Sequence, residues 1–368
     1  MENQTCSALA CHQPLRNVLE WSPFRIDALG IITMIGSDQV ESAVGRLVNS
    51  RYVEYLPLLG AFAIASDQFA DARSGYALYN ITDGITTTDL AGWFVRWCSA
   101  QKFAKSDSTV RWSVDTRPWS LERYWRDRLT ATLICIVTNG FLVALTILQG
   151  DWWGFANALS MVVSVLVRAH VLEQNRTALD LAARKGFDMS NGTESKFLVV
   201  LSDSRMIAMH APSGLVQACF VQKPQPQDPR LYYTVRMIGW ASFAVQAVSL
   251  GMSGLATQII TVLLMVSATV LMHFQVGCDD TIIGRRLKAQ QHERGGTRRQ
   301  DLYVSLQLEE HEEESMLRWN LMPHKTPVPA SERWWREYYE KKKEFGDREK
   351  NLEKKVSVSV VVDPCGSV

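Results

Sequence analysis

Two arginines, Arg168 and Arg236, are the lone fixed charges within long apolar helical stretches. A guanidinium is costly to hold in such surroundings, so it is either carried to a water boundary on its flexible stem or given a partner. The two lie at similar distances from their nearest turns and read as candidate lipid-headgroup contacts between two helical hairpins, with snorkelling to the boundary as the plainer expectation. A second set is aromatic. Trp334, Trp335, Tyr338 and Tyr339 recur at helical spacing inside a basic segment, which forms one aromatic face suited either to anionic lipid at a membrane interface or to docking on the rest of the chain.

The remaining reactive groups stay incomplete. Asp279-Asp280 begins like an aspartate-rich pyrophosphate motif, but Thr281, Ile282 and Ile283 follow, so it reads as a helix-end acid pair. Asp83-Gly84 starts like the signature of phosphatidyl-transferring enzymes and lacks its later residues. Cys6, Cys11 and His12 make one metal-binding half with no second, and His273 has no companion at ligand spacing. There is no phosphate-binding glycine loop, zinc-protease histidine pair or nucleophile elbow. The sequence therefore supplies no catalytic residue, cofactor site or metal site, and leans away from an enzyme.

The elements that must position these groups follow from where charge is missing. No Asp, Glu, Lys or Arg occurs from Leu129 to Leu148, nor over the 42 residues from Met237 to Cys278. A bilayer span needs about 20 apolar residues, so the chain reads as mainly α, a polytopic helical membrane protein with four transmembrane helices in two hairpins. The spans are expected at 129–148, 152–172, 231–250 and 255–275, joined by Gln149-Gly150-Asp151 and by Gly251 to Gly254. Arg117, Arg123, Arg126, Arg128, Arg176, Arg184, Lys185, Arg230, Arg285, Arg286 and Lys288 all flank the opposite ends. Basic residues collect on the cytosolic side, which predicts cytosolic termini, a multi-pass integral membrane location, and Asp151 as the only charge on the far side. Against this stand the glycosylation sequons at Asn3, Asn80, Asn175 and Asn191. Trp152, Trp153, Tyr232 and Tyr233, with Trp119, Tyr124 and Trp125, are expected at the interfaces. Asn139, Asn157, Gln246 and Gln258 are expected to hydrogen-bond between helices.

Five regions result: an N-terminal cytosolic region (1–128), hairpin 1 (129–172), a cytosolic loop (173–230), hairpin 2 (231–275) and a charged tail (276–368). In the first, Ile26 to Gly36 is an apolar run. Tyr55 to Ala65, bounded by Glu54 and Asp67 and broken by Pro57, is too short to span and predicts a buried or surface-lying helix, with a re-entrant segment or a true span as the alternative that would change the topology. In the loop, KFLVVLS, RMIAMHA and GLVQACFVQ predict a small three-stranded antiparallel β meander that packs on the N-terminal region. The tail ends in VSVSVVV, whose alternation suits a strand. Seven scattered cysteines imply no disulfide framework; Cys278 is a palmitoylation candidate, and Cys365 lies in a poor prenylation context.

The stretch GDWWGFANALSMVVSVLVRAHVLEQNR, with Arg318 to Pro323 (RWNLMP), resembles a group of uncharacterised multi-span membrane proteins from filamentous fungi. That resemblance implies a membrane architecture and no activity. With 39 basic against 38 acidic residues, nucleic acid is not an expected partner. The bilayer is, together with cytosolic proteins met by the N-terminal region and tail, and with a second copy of the chain. The expectation is a non-enzymatic scaffold or regulatory subunit acting through its cytosolic face. The alternative is an oligomeric channel or transporter component, and the third reading a lipid-modifying enzyme.

Overall fold

The computed structural model describes residues 20, 37–50, 53–59, 62–101, 103, 108–116, 121–275, 278–293 and 298–361. In chain order these form α1 (Ser37–Val44), β1 (Val48–Ser50), α2 (Phe62–Ala65), β2 (Ala77–Asn80), β3 (Ile85–Thr87), α3 (Gly92–Ala100) and β4 (Ser108–Val114). The long helices α4 (Leu121–Gln149) and α5 (Trp152–Met189) precede β5 (Glu194–Val200) and β6 (Met206–Pro212). Then come α6 (Pro229–Met252), α7 (Leu255–His273), β7 (Cys278–Ile283), β8 (Leu287–Glu293), α8 (Arg299–Ser305), α9 (Glu310–Arg318) and α10 (Pro329–Val361). The metal-site candidates Cys6, Cys11 and His12, the sequon at Asn3, the Ile26–Gly36 run and Cys365 lie outside the described residues.

Four helices, α4 to α7, are long and apolar enough to cross a membrane. Their outward faces carry Leu133, Ile136, Val137, Val245, Val248 and Leu263, all strongly exposed, while polar residues point inward. Asn157 Nδ2 donates to Thr261 Oγ1 at 3.2 Å, and Ser242 Oγ lies 3.1 Å from Ser164 Oγ and donates to Ser160 O at 2.7 Å. This inverts a water-soluble bundle and suits an apolar solvent, in which interhelical hydrogen bonds and small-residue packing replace a hydrophobic drive. Of the four amides expected to cross between helices, Asn157 does so, and Gln258 Nε2 reaches Leu250 O at 3.0 Å. Gln246 Nε2 also crosses, from α6 to the Met265 sulfur of α7 at 3.7 Å, whereas Asn139 bonds within its own helix, to Cys135 O at 3.0 Å.

At the turn end of the bundle Asp151 is buried rather than facing outward. Its carboxylate accepts Gly154 N–H at 2.8 Å, which caps α5, and Gly254 N–H and Thr257 Oγ1, each at 2.9 Å, which caps α7. One side chain therefore ties the two hairpin turns together.

At the other end, segments from the N-terminal region, the loop and the tail weave into one eight-stranded sheet, ordered β1-β7-β8-β4-β6-β5-β2-β3. Only β4 and β6 run parallel. Side chains alternate across a strand, and both faces here are covered. Phe197 and Val199 of β5, with Ile207 and Met209 of β6, join Trp93, Phe94, Trp97, Trp112 and Phe220 on one face. Leu198, Met206 and Ala208 join Tyr303, Met316, Trp335 and Tyr338 on the other. That explains why KFLVVLS is a continuous apolar run instead of an alternating one.

Two expectations are corrected. The meander has two strands, not three: β6 already has β4 as its second neighbour, so GLVQACFVQ has no free edge to join. It folds instead as a helical turn at Ser213–Leu215 and a π-helix at Val216–Val221, pressed so closely on α5 that a Cβ on Gly186 would lie 2.8 Å from the Gly214 carbonyl. The alternating VSVSVVV does not form a strand, because its residues through Val361 continue α10, as helix propagation from an established helix favours.

Removing the Asp151 carboxylate leaves buried donors at both turns without an acceptor. Asp151→Ala is therefore expected to lower stability by at least ~2 kcal/mol, measured by thermal unfolding in detergent, with Asp151→Asn retaining part of it.

Candidate functional site

Residues 53–59 and 62–65 enter the bundle from the sheet end, the first as a single turn of 3-10 helix at Val53–Tyr55 and a non-helical stretch through Leu59, the second as α2. Leu59 reaches the apolar cluster of Leu142, Ala158, Met161, Leu250 and Met265. Its N–H donates to Thr269 Oγ1 at 3.2 Å, a position about 21 Å along α7 from Leu255 at 1.5 Å per residue. Ala65 packs on Gly239 of α6, where a Cβ would stand 3.3 Å from the Ala65 Cβ. The missing side chain lets the segment lie against that helix. The described parts of this run, Tyr55–Leu59 and Phe62–Ala65, thus pack between the long helices, with Glu54 and Asp67 both at the sheet end.

Backbone so placed cannot hydrogen-bond to water, and its carbonyls need partners. The two solitary arginines supply them. Arg168 donates Nε and Nη2 to Glu54 O at 2.9 and 2.6 Å, and Nη2 also reaches Leu56 O. Its residue is only 2% exposed, so it neither snorkels nor faces lipid; its fork is spent on the chain's own carbonyls. Arg236 donates Nε to Ala65 O at 2.9 Å and remains partly exposed.

Each arginine belongs to a larger clamp. Around the first, Arg176 of α5 forms a two-pronged ion pair with Glu54, Nη1 to Oε2 at 3.0 Å and Nη2 to Oε1. It also donates to Val48 O at 2.6 Å and Leu47 O at 3.3 Å, which fixes the start of β1. Around the second, Asp67, in the left-handed region at φ 69°, accepts from Tyr232 OH at 2.6 Å and from Lys223 Nζ at 3.2 Å, with Arg236 Nη1 at 3.7 Å. Asn175 Nδ2 donates to the same Tyr232 hydroxyl at 3.0 Å. Tyr232 is therefore an internal clamp residue rather than an interfacial aromatic. Its hydroxyl is bonded and the ring is buried. Further along α5, Asp180 accepts Arg285 N–H at 2.9 Å and Arg286 N–H at 3.1 Å and so holds the β7–β8 turn.

The aromatic set in the tail is also turned inward. Trp335 and Tyr338 are buried against the sheet, Trp334 is half-buried, and only Tyr339 is exposed. Trp334 stacks on Tyr338 with centroids 5.4 Å apart. The acidic block of α9 is what they grip. Glu313 accepts from Tyr338 OH at 3.2 Å, Tyr339 OH at 3.0 Å and Lys342 Nζ at 2.7 Å, while Lys325 lies 4.6 Å over the Trp335 ring. Burial and the neighbouring carboxylate push the Tyr338 phenol well above its usual range. This face docks the tail on the protein and leaves Tyr339 exposed at its edge.

Other candidates resolve in place. Asp279 and Asp280 lie in β7, not at a helix end, and Asp280 pairs with the buried Arg46 at 3.0 Å. Asp83 accepts from Asn80 Nδ2 at 2.6 Å. His273 is exposed beside Phe274. The sequons at Asn80 and Asn175 are buried in strand and helix and bonded internally; Asn191 sits in an exposed turn. Among the described residues no group of three His, Cys, Asp or Glu side chains is arranged to hold a metal. Comparison with protein-family models, curated proteins and solved structures gave no match.

Sequence reasoning missed Glu54, Arg176, Asp67 and Thr269 as members of the clamps. Signals existed: two acids bracket the short apolar run, and two arginines lie at equal depth. Nothing linear pairs them.

Two outcomes follow. Glu54→Ala strands the buried Arg176 guanidinium and is expected to cost ~3–5 kcal/mol, whereas Glu54→Leu combined with Arg176→Met recovers most of it, read by thermal unfolding of the three proteins. For the tail, burial acts to raise the Glu312 pKa. Hydrogen bonds from Lys196, the Glu309 N–H and Thr82 outweigh it and leave the carboxyl below its ordinary 4.5. A carboxyl depressed on folding stabilises above its unfolded value and loses that contribution as pH falls through the folded one. Protection of 310–345 in hydrogen exchange should hold from neutral pH down to about 4.5 and weaken below it, and Glu312→Gln should flatten that dependence.

Proposed function

We propose that the chain is a multi-pass integral membrane protein acting as a non-enzymatic scaffold or regulatory subunit, its sheet and both termini in the cytosol. The observation that carries this is the continuity of α5, which runs unbroken from the hairpin turn to the sheet and holds both the 53–65 segment and the β7–β8 turn. A sheet fixed so firmly to four apolar helices is suited to presenting surfaces at a set orientation to the bilayer. With the hairpin turns at one boundary of a hydrocarbon core ~30 Å thick, Leu59 and Ala65 lie about 10 Å inside the other boundary, so 53–59 and 62–65 read as parts of a re-entrant segment. The basic flanks of the four helices support the cytosolic placement.

Partners are then met by the exposed tail helices. Deleting 279–368 would remove β7 and β8 and dismantle the sheet, so the test uses surface charge reversal: Arg333→Glu with Arg336→Glu on the exposed side of α10, in the full-length protein. Cross-linking and affinity purification from the native membrane should show at least one associated protein reduced about tenfold. An unchanged partner set overturns the reading.

A second reading, an oligomeric channel or transporter component, is favoured by the polar inner faces of α5 to α7 and by Asn157, fully buried with its Oδ1 unpartnered. Non-helical backbone at membrane depth also occurs where it lines a pathway. Ion flux through reconstituted liposomes that is abolished by Asn157→Leu would establish this reading over the first.

A further inference from the structure

Next to its turn the β7–β8 hairpin comes apart. It pairs Ile283 with Leu287 and Ile282 with Lys288 and no further, although the same register would set Thr281 opposite Ala289 and Asp280 opposite Gln290. β8 stays with β4 along its whole length. β7 swings toward β1 and loses register there between Val48 and Ser50, a bulge of the kind that marks sites where pairing is deliberately ended. Asp280 holds it aside: its carboxylate takes the Arg46 ion pair at 3.0 Å, and its carbonyl accepts Trp97 Nε1 at 3.0 Å.

The opening is a cleft of about 580 Å³ bordered by Gln101, Asp280, Thr281 and Ala289 to His292. Successive residues of a strand point to opposite faces, so a space touched by four in succession lies between the strands, not above one face. Gln101 projects into it from the end of α3. Its Oε1 accepts from Gln291 Nε2 at 2.7 Å, while its own Nε2 is buried without a partner, in a residue 9% exposed.

We propose that this cleft receives an extended peptide segment of a protein partner, added as a strand between β8 and β7. The proposal rests on the scaffold reading and names where a partner is held. An extended peptide is the chemistry the opening is short of: it offers N–H and C=O groups at strand spacing to the free side of β8. The five positions of β8 beyond Lys288 span about 17 Å at ~3.4 Å per residue.

The test closes the cleft. In a Cys278→Ser background, Thr281→Cys with Ala289→Cys joins the two strands on oxidation and releases them on reduction. A displayed library of random dodecapeptides is selected on the full-length wild-type protein in lipid nanodiscs, with the oxidised variant as counter-selection. Enriched peptides should bind the oxidised variant at least about tenfold more weakly, regain affinity on reduction, and slow amide exchange at Ala289 and Gln291, whose N–H groups face away from β4. Failure to enrich any peptide, or equal binding to the oxidised form, overturns the proposal. Because the assay uses purified protein, that failure is separate from failure of the scaffold reading, which is judged by the α10 charge reversals.

Discussion

A stretch of irregular backbone between long apolar helices has to have its polar groups satisfied by protein, and most of this architecture can be traced to how that is done. Glu54, Leu56 and Ala65 present carbonyls, and Leu59 an N–H, where water does not reach. Arg168, Arg236 and Thr269 answer them from three different helices. A guanidinium suits the task because its planar fork serves two carbonyls at once and keeps its charge. Arg168 is thereby buried at a tolerable cost, offsetting its desolvation with several charge-assisted bonds.

The second constraint is the length of α5. Beyond its apolar portion the helix continues through Asn175, Arg176 and Asp180, and each of these fastens a different part of the chain: Tyr232 of α6, Glu54 with the start of β1, and the β7–β8 turn. Residues distant in sequence are thus registered against one rigid rod. The sheet's two apolar faces then need covering. The aromatic residues of α3 and β4 cover one, and the tail covers the other, through Glu312 and Glu313. Acidic and basic blocks that look like a solvated tail are therefore a docking surface matched to the sheet and to one another.

Taken together, the helices form a platform whose sheet end is immobilised at several independent points, and among the described residues the pairing of β7 with β8 stops two residue pairs from their turn. Rigidity around an open seam is an arrangement suited to recognition, because little ordering entropy remains to be lost by the protein when a strand is added.

The amino-acid order alone determined the four apolar helices and their turns, since lengths free of charge report directly on the solvent a helix can tolerate. It also located strands β5 and β6 and marked 55–65 as anomalous. What only the tertiary structure decided is which groups meet. Arg168 and Arg236 were legible as solitary charges, but their carbonyl partners are backbone atoms of a segment over a hundred residues earlier, and backbone carbonyls leave no mark in a sequence. The aromatic face of α10 was legible as a face, but whether lipid or protein covers it depends on a sheet assembled from three separated segments. The π-helix replaced a third strand for the same reason: local propensity was compatible with either, and the place beside β6 had been taken by β4. Periodicity and charge speak to the solvent around each element, whereas pairing across long separations is settled by packing.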